Sequence, residues 1–178
     1  YDNSSLHSLV IRPKASPPAG KKLPALIYVH GGGVATTAKN YDWLTKMMAK
    51  NTKALVLSVG FRHGGDAEAP AGVMDIYVAV KWLHSRADEL GVDPGRISVY
   101  GSSGGGFEAS EVCLELAARG EATLVKAAFL EVPMIWPNDM LGPYDGWSEY
   151  KRFEYEKIMK EQYTCYAGKQ WEARFSET

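Results

Sequence analysis

The chain has 178 residues, 46% of them hydrophobic and 23% charged, enough for one domain that buries roughly 70% of its unfolded surface. Its 20 basic and 21 acidic residues leave a formal net charge of -1 with no Lys/Arg-dense run, which argues against nucleic acid as a partner. The longest apolar stretches, such as 54–59 and 127–130, are strand-sized and far short of the ~20 residues that span a bilayer, so no membrane span is expected.

Residues 6–12 form a β-rich segment, followed by a Pro/Gly/Lys turn region (13–22) and an apolar strand over 26–30. A glycine-rich loop leads into a helical pattern at 41–50, with Leu44, Met47 and Met48 on one side, and then into a strand at 54–59. Val73, Ile76, Val80, Leu83, Ala87 and Leu90 recur at steps of three and four, which predicts an amphipathic helix over 71–90 ended by Gly91. Asp93-Pro94-Gly95 reads as a turn, 97–101 as a buried strand, 104–119 as a helix closed by Gly120, and 126–131 as a further strand. Strands alternating with helices at this spacing predict an α/β fold, a mainly parallel sheet flanked by helices on both faces. After Pro133 the prolines, glycines and aromatics mark a change of character. Residues 1–132 are therefore expected as the core, and 133–178 as a loop and helices forming either a surface helix pair or part of a lid.

Cys113 and Cys165 fit neither a zinc spacing nor a disulfide framework, and a plain buried thiol is expected at Cys113. No metal or cofactor is expected, and low cysteine use favours a cytoplasmic protein. The chain opens on Tyr1 without a basic-then-apolar leader, so its start is expected to have been removed or to lie outside these residues.

Two motifs carry chemistry. Gly101-Ser102-Ser103-Gly104-Gly105 fits G-x-S-x-G, a pattern that chance alone supplies in about one average chain in twenty. Its position between a buried strand and a helix is what raises it, because a sharp strand-to-helix turn projects a serine oxygen above the sheet and needs small neighbours at Gly101 and Gly105. The competing reading is a glycine-rich helix start with Ser103 as a cap. The second motif, His30-Gly31-Gly32-Gly33, ends the strand 26–30; its backbone N–H groups can turn inward, and with Gly104 they would meet the negative oxygen that develops in acyl transfer. No Lys-Ser/Thr follows, and the dinucleotide-binding glycine spacing is absent, which disfavours phosphate.

These motifs stand in order with Gly60-Phe61-Arg62 to Ala69-Pro70-Ala71, Met74-Asp75-Ile76, Lys81-Trp82-Leu83 and Gly91-Val92-Asp93-Pro94. Together, over roughly 24–133, they resemble the hormone-sensitive-lipase-like carboxylesterases of the α/β-hydrolase fold. The resemblance implies Ser103 as nucleophile, Gly32, Gly33 and Gly104 as oxyanion donors, His30 as a support of the glycine loop, and Arg62 with Asp75 as a structural pair. It implies a small ester or apolar acid as ligand. The chain departs from the family at Ser102, where an acidic residue is usual, and at Phe61, where tyrosine is usual.

A third departure is graver. The family's acid and histidine follow the nucleophile, whereas His7, His30, His63 and His84 all precede Ser103. Of these His63, in a loop after a strand, is the least implausible base; Asp139 and Asp145 could serve as an acid only with a histidine to orient. The expectation is therefore an incomplete copy of an α/β-hydrolase, cut short after the strand that follows the nucleophile helix, with part of a lid. The outer edge of that strand would be covered by another chain, a further segment or 133–175. Two alternatives stay open: a catalytically dead relative that binds a small ligand, and a structural subunit of a larger assembly.

Overall fold

The computed structural model describes residues 6–32, 37–62, 67 and 69–133. Within them, strands β1 (Leu9–Ile11), β2 (Leu23–Val29), β3 (Leu55–Ser58), β4 (Val92–Ser102) and β5 (Ala127–Glu131) form one sheet in the spatial order β1-β3-β2-β4-β5. Only β1 is antiparallel, pairing with β3; the other three ladders are parallel. Parallel neighbours need crossovers, and helices α1 (Asp42–Thr52), α2 (Ala71–Ser85) and α3 (Gly104–Ala118) supply them in turn. This is the expected mainly parallel sheet flanked by helices.

The two-residue period of the strands divides the core between two faces. Ile27, Val29, Leu55, Leu57, Ile97 and Val99 pack against Ile76, Val80 and Leu83 of α2 and against Ala109, Val112 and Leu116 of α3. The alternate residues Tyr28 and Val56 turn the other way, onto Ala49 of α1. Burial on both faces explains why β2 and β3 read as continuous apolar runs. Each fully buried Val, Leu or Ile contributes about 1.5–3 kcal/mol relative to exposure. The α2 and α3 stripes therefore fix the position of the α3 first turn against the end of β4, where Ser103 sits.

Two boundaries differ from the sequence expectation. α2 stops at Ser85 rather than near Leu90; the chain goes on through irregular turns, with Ala87 N–H donating to His84 O at 3.3 Å, Leu90 N–H to Arg86 O at 2.9 Å and Gly91 N–H to Asp88 O at 3.0 Å. Ala87 remains buried, so the apolar spacing outlasts the helix. The expected turn at Asp93-Pro94-Gly95 lies inside β4 as an irregularity: β2 passes from Leu23 to Ala25 while β4 passes from Val92 to Ile97. Asp93 shapes it, accepting from Gly95 N–H and from Arg96 Nε at 2.9 Å each.

β5 has β4 as its neighbour on one side, and all five of its residues are exposed. The segment expected to cover it, like the lid and the acids Asp139 and Asp145, lies beyond Pro133 and outside the described residues. No described helix is long and apolar enough to cross a membrane.

Candidate active site

Ser103 stands between the last residue of β4 and the first of α3, at φ 54° and ψ -120°. A non-glycine residue in such a conformation carries of order 1–3 kcal/mol of strain and persists only where its surroundings over-determine it. Here they do. Ser103 N–H donates to Glu131 O on β5 at 2.9 Å, and Ser103 O accepts from Gly106 N–H at 2.9 Å and Phe107 N–H at 3.2 Å. The side chain makes no cap hydrogen bond to α3, which counts against the reading of Ser103 as a side-chain cap.

The flanking glycines sit where no side chain fits. A Cβ on Gly101 would lie 2.2 Å from Gly105 O, and one on Gly105 would lie 2.3 Å from Val29 O and 2.4 Å from His30 O. The α3 first turn thus rests directly on the ends of β4 and β2. Gly104 opens the helix, where its N–H has no intrahelical acceptor and lies at the positive end of the helix dipole.

The glycine loop leaves the end of β2 and touches the elbow. A Cβ on Gly31 would come within 2.7 Å of Ser102 O and 3.1 Å of Ser103 Cβ. Gly32 follows at φ 96°, a conformation open mainly to glycine. Gly33 lies outside the described residues. His30 is buried, its ring stacked on Tyr41 (centroids 5.5 Å apart, planes 15° apart) and set against Phe61 at 4.8 Å. Its Nδ1 lies 3.0 Å from Gly31 O, and Tyr41 Oη donates to the same carbonyl at 3.1 Å. Sequence reasoning found His30 and missed Tyr41, which enters from the start of α1 beyond any motif.

Arg62 and Asp75 form a fork pair. Arg62 Nε donates to Asp75 Oδ2 at 2.8 Å, its Nη2 to Oδ1 at 2.7 Å, and its backbone N–H to Oδ2 at 3.0 Å. Both side chains are largely buried, which ties the segment after β3 to α2 through a charge-assisted bidentate contact.

A second carboxyl beside this pair was not singled out in the sequence. Glu108 on α3 is 3% exposed, its Oε2 has no hydrogen-bond partner among the described residues, and its Oε1 lies 3.1 Å from where a Cβ on Gly72 would stand. Burial, with Glu111 and Asp75 adding repulsion, pushes its pKa up to about 8. A carboxyl that holds its proton more tightly folded than unfolded contributes its full stability below about pH 4.5, and that stability is lost as pH rises through about 8. Glu108→Gln is expected to flatten the slope between those limits and to raise stability at pH 8 by several kcal/mol. Urea midpoints of both proteins from pH 5 to 9 measure it; parallel curves would count against a buried, protonated Glu108.

The described histidines are engaged elsewhere or remote. His84 Nε2 lies 2.6 Å from Leu124 O, His30 belongs to the glycine loop, and His7 is exposed before β1. His63 lies outside the described residues. A cavity of about 490 Å³ between β1 and α2, lined by Val10, Val59, Val78 and Trp82 among others, includes neither Ser103 nor the glycine loop.

A serine held in strain between a parallel strand and a helix, with a glycine-rich backbone against it, defines an α/β-hydrolase. The α/β-hydrolase family profile matches residues 26–171, and the chain belongs to that family, within its hormone-sensitive-lipase-like carboxylesterases. It is 36% identical over 118 residues to carboxylesterase NlhH of Mycobacterium tuberculosis, covering 66% of this chain and 36% of that one. It is 34% identical over 137 residues to ethyl acetate hydrolase of Pseudomonas putida, covering 76% and 42%. Among solved structures it is similar to EstE1, a thermostable carboxylesterase from a metagenomic library, at TM-score 0.75 and 30% identity over 97% of this chain and 58% of that one. The Pyrobaculum calidifontis esterase gives TM-score 0.69 and 30% identity over 93% and 57%. The chain therefore spans less than half the length of these curated relatives and somewhat over half of these two structures.

Proposed function

We propose that the protein is a serine carboxylic ester hydrolase for esters of short to medium acyl chain. The observation that carries the reading is Ser103 at φ 54° with the Gly31 backbone against its Cβ, an arrangement that holds strain where a nucleophile would be used. In this reading Ser103 Oγ attacks the ester carbonyl, and the N–H groups of Gly32, Gly33 and Gly104 take up the negative oxygen. Each such donor is worth about 3 kcal/mol of transition-state stabilisation. The alcohol leaves, and water hydrolyses the acyl-enzyme. His30, Gly31, Gly101, Gly105, Arg62 and Asp75 hold this machinery in place without touching substrate. We read 1–132 as the catalytic core and 133–178 as a lid or connecting segment.

A serine hydroxyl needs a general base; the second reading is a family member that binds a small ester or apolar acid without turnover. Hydrolysis of nitrophenyl acetate and butyrate decides between them. The protein of natural length is expected to reach a kcat/KM of about 10⁴ M⁻¹s⁻¹ or more. Background rates from the natural-length protein, together with saturable binding of the product acid, would favour the receptor reading. Ordinary esterase rates from the 178 residues would mean that these residues include a base, with His63→Ala the first variant to make.

A further inference from the structure

We infer that Tyr41 is a positioning residue for the oxyanion loop, acting through the carbonyl oxygen of Gly31; the inference rests on the ester-hydrolase reading above. Tyr41 closes a 3-10 turn, Ala38–Tyr41, at the start of α1. That turn is fixed on its own terms: Thr37 N–H and Oγ1 donate to Asn40 Oδ1 at 2.8 and 2.9 Å, and Thr45 Oγ1 donates back to Tyr41 O at 3.0 Å. The tyrosine ring is held between His30, at 5.5 Å, and the fully buried Tyr28, at 5.9 Å. Its hydroxyl therefore reaches Gly31 O from a scaffold independent of the elbow.

The consequence comes from peptide geometry. The Gly31–Gly32 unit is planar and trans, so fixing the Gly31 carbonyl on Tyr41 Oη and His30 Nδ1 fixes the Gly32 N–H on the opposite side. Two glycines in a row resist peptide rotation poorly, and Gly32 already occupies φ 96°. A rotated unit would present a carbonyl oxygen where a developing oxyanion needs a donor, turning attraction into repulsion. Acceptance of two hydrogen bonds by one carbonyl opposes that rotation more strongly than His30 alone. Because the oxyanion forms only as the ester carbonyl is attacked, the benefit falls on turnover and not on substrate affinity.

Tyr41→Phe removes the hydroxyl and keeps the ring between His30 and Tyr28. In the protein of natural length it is expected to lower kcat for nitrophenyl butyrate roughly tenfold, about one hydrogen bond's contribution, with KM changed less than about twofold and the melting curve retained. Phosphonylation of Ser103 by a fluorophosphonate should slow in parallel, since the phosphoryl oxygen occupies the same place. A Ser103-dependent rate that Tyr41→Phe leaves unchanged, or a loss confined to KM, overturns the inference alone. A wild-type rate no higher than that of Ser103→Ala overturns the ester-hydrolase reading and this inference with it. Tyr41→Met, which keeps apolar bulk without a donor, gives the same comparison should the phenylalanine variant fail to fold.

Discussion

Replacing Ser103 by alanine in the protein of natural length is expected to lower kcat for short-chain nitrophenyl esters by roughly 10⁶-fold, with little change in KM. The size follows from the loss of the attacking oxygen together with the use of any base that serves it, since such groups act as a unit. Stability should separate two substitutions at the same position. Alanine at φ 54° keeps the backbone strain, whereas Ser103→Gly relieves it and is expected to stabilise the fold by about 1 kcal/mol after the entropy of the freer unfolded chain is subtracted. Measured kcat and urea midpoints for both variants test the two halves separately. A stable alanine variant that retains a tenth of the wild-type rate would remove Ser103 from the chemistry.

The second large effect is expected at Gly101. Gly101 pairs with Val29 on one side and Leu130 on the other, so β4 cannot move away from a new methyl group there. That methyl would meet Gly105 O at 2.2 Å and Ala109 Cβ at 2.7 Å, and the first of these is backbone. The relief open to the fold is to lift the α3 first turn off the sheet. Gly101→Ala should then cost about 3 kcal/mol, the upper end for added volume in a packed site. The folded fraction should also lose about 10²-fold in kcat/KM, because a displacement of about 1 Å misplaces Ser103 and the Gly104 N–H together. Gly91 and Gly120, at φ 64° and 71° with nothing within 4 Å of a Cβ, provide the contrast: alanine there should cost about 1 kcal/mol through backbone strain and leave kcat/KM alone. Denaturation midpoints at constant m-value and rates well below melting separate the two cases. Equal costs at Gly101 and Gly91 would contradict the close approach of α3 to β4.

The elements that the sequence made legible are those whose signal is local. Gly101, Ser103 and Gly105 mark the elbow because the turn admits no larger neighbours, and Val29-His30-Gly31 marks the strand end because the apolar run stops at the glycines. The two-faced burial of β2 and β3 was equally readable from their unbroken apolar runs. Tyr41, by contrast, reaches Gly31 O across ten residues of chain, and no spacing rule links a helix-start tyrosine to a carbonyl in a preceding loop. Glu108 was hidden for the opposite reason: within Phe107-Glu108-Ala109 it reads as an ordinary solvated position, and only the packing of α3 on Gly72 shows that the carboxyl is enclosed. The end of α2 is not legible in the spacing because Ala87 and Leu90 continue the apolar pattern past Ser85, where the regular helix ends.

The central claim, that Ser103 is an activated nucleophile beside an oxyanion loop, is tested most directly by covalent labelling of the natural-length protein with an alkyl fluorophosphonate and mapping of the modified peptide by mass spectrometry. The expected result is one equivalent of label, carried on Ser103 and not on the adjacent Ser102, with rapid loss of ester hydrolysis in step with its incorporation. Label on another residue, or none at concentrations that inactivate ordinary serine esterases, would contradict it.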